Sequence, residues 1–176
     1  MKHGSENRSL WPLIRLTGSF ALFFLVMQWG YQAASGTVIE HILIDEATVK
    51  PSAALINQLA PNARVRSHGA QLTSPNIRLS ILNGCEGMES LFLMIAAILA
   101  YRCRWKDKLI GLTLGTLLIY GLNQLRIVGL YFALRQDQGL FAAIHGYIGP
   151  TLIIAIGVLF FTWWTQWTMR TAPGAS

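Results

Sequence analysis

Apolar residues in this chain come in long runs, and the polar residues gather between them. Residues 10–31 are mostly apolar, with Arg15 near the start of the run and Trp29 and Tyr31 near its end. A second run covers 88–101 and takes in residues from Cys85 onward to reach full length. A third covers 109–134, its polarity broken by Asn123, Gln124 and Arg126. A fourth covers 140–167, with Trp163, Trp164 and Trp167 at its far end and Arg170 just beyond. About 20 apolar residues are what a helix needs to cross about 30 Å of hydrocarbon. The pattern therefore predicts a mainly α, polytopic membrane protein with about four transmembrane helices. A signal peptide competes for the first run, since Gln32-Ala33-Ala34-Ser35 resembles a cleavage site. A retained helix is the favoured reading, because the run is long and its terminal aromatics suit an interfacial belt.

Residues 36–82 differ in character. They carry Glu40, Asp45, Glu46, Lys50, Arg64, Arg66 and Arg78, punctuated by Pro51, Pro61 and Pro75. Residues 52–60 read as a short amphipathic helix, and residues 77–81 alternate apolar and polar as a half-buried strand does. A small external α+β cap between the first and second spans is expected, its last strand delivering the chain to Cys85. His41 and His68 fall here and read as polar surface residues. The expected organisation is a cytoplasmic tail and first helix (1–35), the cap segment (36–84), a three-helix catalytic membrane core (85–170) and a cytoplasmic tail (171–176).

Charge fixes the orientation. The chain is 53% hydrophobic and 12% charged with a net charge of +6, against about 25% charged residues in an average soluble protein. Arg102, Arg104, Lys106 and Lys108 crowd one short loop, which belongs in the cytoplasm by the positive-inside rule. Lys2, Arg8 and Arg170 agree, so both termini face inward and the 36–84 segment faces out. No polar stripe interleaves basic residues with aromatics, so nucleic-acid binding is not expected. No CxxC pair, His-rich tract or HExxH pattern points to a metal, and neither metal nor cofactor is expected. Cys85 and Cys103, separated by one span, fall on opposite sides of the bilayer and cannot form a disulfide.

Chemistry concentrates around Asn83-Gly84-Cys85-Glu86-Gly87-Met88-Glu89. Cys85 opens the second span. Arg126 lies 17 residues beyond Leu109, about 26 Å up a helix and so a few ångströms below the outer surface. His145, in a helix descending from that surface, is about 8 Å down. Three capable side chains on three spans thus share one depth. Arginine near a helix end often snorkels to headgroups, but a buried one tends to be paired and functional. A thiol becomes a nucleophile when a neighbouring cation or imidazolium favours thiolate, histidine can pass a proton to a leaving amine, and the guanidinium fork suits an oxyanion. Cys85, Arg126 and His145 are the expected catalytic group. Asn123, Glu86, Glu89 and Gly87 are the expected substrate-binding residues, Gly84 and Gly87 allowing a substrate backbone to come close. The two carboxylates have either an electrostatic role or a solvated one.

At these residues the sequence resembles the exosortase/archaeosortase family of membrane-embedded cysteine transpeptidases. The resemblance runs from Leu79 to Trp164 and rests on Cys85-Glu86-Gly87, Asn123-Gln124-Leu125-Arg126 and His145 in that order. The short length, with a cap before Cys85, is most like the exosortase H type. The family has a smaller residue where Glu86 stands, and its larger members have about twice as many spans. The resemblance implies a thiol protease and transpeptidase of the bacterial inner membrane, with its site at the periplasmic face. It implies partners as well: secreted proteins ending in a short motif, one transmembrane helix and a basic tail. Cleavage through a thioester, with transfer to an acceptor, follows from it. The alternative is a non-enzymatic membrane assembly or scaffold subunit whose polar residues lock helices together. A small transporter is disfavoured, since the ionisable residues lie near one surface and no inverted repeat is present.

Overall fold

A computed structural model describes residues 6–75, 77–81 and 86–171. Among these, three helices are long and apolar enough to cross a bilayer: Leu10–Ala33, Trp105–Gln136 and Gln138–Thr171, of 24, 32 and 34 residues. The first belongs to helix α1 (Glu6–Ala33). The second is α5 (Trp105–Gln136). The third is built from α6 (Gln138–Ala143), a π-helical turn (Ile144–Ile148) and α7 (Gly149–Thr171). The chain is a mainly α, multi-pass membrane protein.

The second expected span departs from its prediction. Helix α4 (Met88–Ala100) has only 13 residues, about 20 Å, short of the roughly 30 Å hydrocarbon core. Its start is set by Gly87, whose φ of 80° is left-handed and does not continue the helix. The polar residues 135–139, between the third and fourth apolar runs, make a tight turn. It narrows to Asp137, whose backbone is extended and whose Oδ2 accepts the Leu140 N–H at 2.8 Å as an N-cap.

The cap begins with α2 (Val38–His41), which passes through a π-helical stretch (Ile42–Val49) into α3 (Lys50–Leu59). Three strands follow in order, β1 (Arg66–His68), β2 (Gln71–Ser74) and β3 (Ile77–Ser80), forming one antiparallel sheet. The register pairs Leu72 with Leu79, so both point into the cap core, as the alternation at residues 77–81 predicts. Asn57 replaces a missing strand neighbour for Val65, donating from Nδ2 to its carbonyl and accepting its N–H, both at 2.8 Å.

Two cores result. Cap residues Ile44, Val49, Ile56 and Leu72 pack on Ile127, Leu130 and Tyr131 from the far half of α5. Met94, Ile98, Ile119, Ile153 and Trp164 fill the bundle below. Trp164 is fully buried against Gly111, where any Cβ would strike its indole, and donates to the Asp107 carbonyl at 3.1 Å. Helix α5 is therefore the common wall of cap and bundle.

Candidate active site between bundle and cap

The polar patch of α5 is sorted among three partners. Gln124 turns to the cap, where its Oε1 accepts the Ser52 hydroxyl at 2.6 Å in a buried contact. One residue back, Asn123 turns to the start of α4 and donates from Nδ2 to the Glu86 carbonyl at 2.8 Å. Arg126, one turn further along the same helix, reaches the third span and donates from Nη2 to the His145 carbonyl at 3.2 Å. Leu125 between them is 65% exposed and takes the outward face.

Glu86 is buried at 7% exposure, an unusual position for a carboxylate. The Tyr31 hydroxyl donates to its Oε1 at 3.0 Å, while the Tyr31 ring packs edge-on against Phe92. From its place in the sequence Tyr31 reads only as an interfacial aromatic, so α1 contributes to the site a residue that the sequence does not reveal. Gly87 is required twice over. Its backbone is left-handed, and a Cβ there would lie 2.5 Å from Cγ of Asn123. Glu89, in the first turn of α4, is exposed, so the two candidate carboxylates have different surroundings.

The Arg126–His145 contact has a local cause. In the π-helical turn the N–H of Gly149 closes on the Ile144 carbonyl, five residues back. The matching donor for His145 would be residue 150, which is proline and has no N–H. Arg126 supplies the donor from outside the helix. Gly149 leaves room for it, since a Cβ there would sit 2.9 Å from Nε of Arg126 and 2.8 Å from the Ile144 carbonyl oxygen. The imidazole of His145 stacks on Phe141 at 5.6 Å and 8°, one helical turn earlier, and the residue is exposed. Gly149 and Pro150 are thus parts of the site that sequence reading missed.

Four buried side-chain atoms have no hydrogen-bond partner among the described residues, and three belong to this cluster: Oε2 of Glu86, Oδ1 of Asn123 and Nε of Arg126. Buried polar groups are normally satisfied, so this concentration stands out among the described residues. Glu86, Gly87, Asn123, Arg126 and the His145 backbone are brought together here. Cys85 lies outside the described residues; in sequence it immediately precedes Glu86. The described cysteine, Cys103, lies between α4 and α5, at the other end of α4 from Glu86. No group of three or more potential metal ligands occurs among the described residues.

A family model described as Transmembrane exosortase (Exosortase_EpsH) matches residues 7–162, a stretch that includes all but the first residue of α1, the cap and every candidate site residue. No curated protein and no solved structure gives a significant match. With most of its length matched, the chain belongs to the transmembrane exosortase family.

Proposed function

We propose that this protein is a membrane-embedded cysteine transpeptidase that cleaves the C-terminal sorting signals of secreted proteins and transfers the remainder to an acceptor. One observation carries this reading. Three buried polar atoms, on Glu86, Asn123 and Arg126, have no partner among the described residues, and Glu86 directly follows Cys85 in the chain. A scaffold that used these residues to lock helices together would satisfy them against one another.

In this mechanism the Cys85 thiolate attacks the carbonyl of the scissile peptide bond. The developing oxyanion takes up donors of Arg126, which spends Nη2 on the His145 carbonyl and has the rest of its fork available. His145 gives a proton to the leaving amine as the C–N bond breaks, leaving an acyl thioester on sulfur. Helix and basic tail depart. A nucleophile, an amine or a surface glycan or lipid component, then attacks the thioester, forms the new acyl bond and returns the thiol. Asn123, Gly87 and Glu86 hold the substrate backbone, and Glu89 meets its charge from the exposed turn of α4. The site faces the periplasm in the bacterial inner membrane, with the basic residues 102–108 inside.

The test is co-expression with a secreted reporter carrying a motif, a transmembrane helix and a basic tail. Wild type releases the tail, and Cys85→Ala at equal protein level does not. Undiminished processing by Cys85→Ser would favour the non-enzymatic scaffold.

A further inference from the structure

A cavity lies at the opposite end of the bundle from the candidate active site. It has a volume of about 520 Å³, within the range of about 300–1,000 Å³ usual for small-ligand sites. It exists because α4 stops at Ala100 while α1 runs on past it toward its own N-terminus. Three cationic residues from separate segments line it: Arg15 of α1, Arg102 just after α4, and Lys108 of α5. Among the described residues no aspartate or glutamate lines it and no carboxylate pairs with any of the three. Lys108 gives one donor to the Leu99 carbonyl at 2.8 Å, leaving two of its three available. The remaining wall is strongly apolar, including Trp11, Leu16 and Phe23. Trp11 and Leu16 are exposed, at 62% and 40%, on a helix long enough to span a membrane.

We propose that this cavity binds the headgroup of one anionic phospholipid from the leaflet on the basic-loop side. Like-signed charges gathered around a hollow with no counter-charge among the described residues call for an anion, and basic pockets between transmembrane helices hold acidic lipid headgroups. The apolar wall decides between a lipid and a soluble phosphate, since only the lipid brings acyl chains to cover Leu16 and Phe23. The basic tail of a sorting signal is excluded by charge. The lipid bridges α1 and the α4–α5 connection, both of which line the cavity. The inference is independent of the proposed transpeptidase chemistry, because its readout is binding.

The experiment uses the full-length protein, delipidated in neutral detergent and titrated with phosphatidylglycerol, phosphatidylcholine or inorganic phosphate. Native mass spectrometry reads bound lipid, and thermal unfolding reads stabilisation. One phosphatidylglycerol binds, with phosphatidylcholine about tenfold or more weaker and inorganic phosphate without matching stabilisation. Arg15→Gln with Arg102→Gln weakens phosphatidylglycerol about thirtyfold, the factor two surface cations contribute beside an anionic headgroup. Arg15→Lys with Arg102→Lys stays near wild type, as does Arg104→Gln with Arg170→Gln, whose side chains do not line the cavity. Equal binding of the two lipids, or an unchanged affinity in the doubly neutral variant, overturns the proposal. Matching stabilisation by inorganic phosphate reassigns the cavity to a soluble anion and overturns the lipid. If the doubly neutral variant does not fold, the lysine pair and the lipid comparison decide.

Discussion

Arg126 donates to the main-chain carbonyl of His145, not to its ring. Pro150 explains why: it takes away the donor that a π-helical turn would bring to that carbonyl, and a guanidinium from α5 takes its place. The catalytic arginine and histidine of the proposed mechanism are therefore held in register by a backbone irregularity. π-helical turns within longer helices are frequent at functional sites for this kind of reason.

That relationship is open to a double-mutant cycle. Arg126→Gln strips the His145 carbonyl of its donor and is expected to cost about 1–2 kcal/mol. In a Pro150→Ala background the restored N–H takes over, and the same change costs less, with a coupling of about 1 kcal/mol. Thermal or denaturant unfolding of the four proteins measures it. Additive effects would show that Pro150 has no part in placing Arg126.

Tyr31 and Glu86 join the first span to the start of α4 through one hydrogen bond. Tyr31→Phe keeps the ring contact with Phe92 and leaves the buried carboxylate without that donor, a cost of about 1–3 kcal/mol. Glu86→Gln in the same background recovers much of the loss, because a neutral amide is cheaper to bury than an unsupported carboxylate. A Tyr31→Phe protein as stable as wild type would remove Tyr31 from the site.

Gly87 and Glu89 lie two residues apart and respond in opposite ways. Gly87→Ala forces a side chain into a left-handed backbone and onto Asn123, for a combined cost of about 2–5 kcal/mol. Glu89→Gln, on an exposed turn, stays within about 0.5 kcal/mol of wild type in stability. Unfolding midpoints separate the two, and a tolerated Gly87→Ala would mean that the turn into α4 differs from the one described.

Cys103 serves as an internal control. Burial raises its pKa above the ordinary thiol value; Asp107 adds to the shift and Lys108 opposes it. A raised pKa means less thiolate at a given pH, so alkylation of Cys103 is slow at pH 7 and reaches full rate only above the pH that an ordinary thiol needs. In a Cys85→Ala protein the rate of iodoacetamide labelling against pH checks this. A plateau already at neutral pH contradicts it. Cys103→Ser is expected to leave sorting-signal cleavage intact.

Much of this was legible in the chain. The apolar runs mark the three long helices, and the alternation at residues 77–81 marks β3. Asn123 and Arg126 lie one helical turn apart, which places both near one face of α5. Other features depend on contacts that no local pattern carries. Tyr31 meets Glu86 across 55 residues. The apolar run through residues 88–101 looks like a full span when the residues before it are counted in, yet Gly87 has a left-handed backbone that does not continue the helix, and Asn123 leaves room for no side chain there. Gly149-Pro150 reads as a helix breaker, whereas the helix continues by shifting register and borrowing a donor from Arg126.

The central claim is that Cys85 is a nucleophile assisted by Arg126 and His145. A peptide carrying a sorting motif, with a thiol-reactive carbonyl at the scissile position, tests it most directly by intact-mass labelling of the full-length protein. Stoichiometric labelling of wild type and of Cys103→Ser, none of Cys85→Ala, and labelling slowed about a hundredfold or more in Arg126→Gln and His145→Ala is the expected result. Equal labelling of the Cys85→Ala protein, or rates unaffected by the loss of Arg126 and His145, would contradict it.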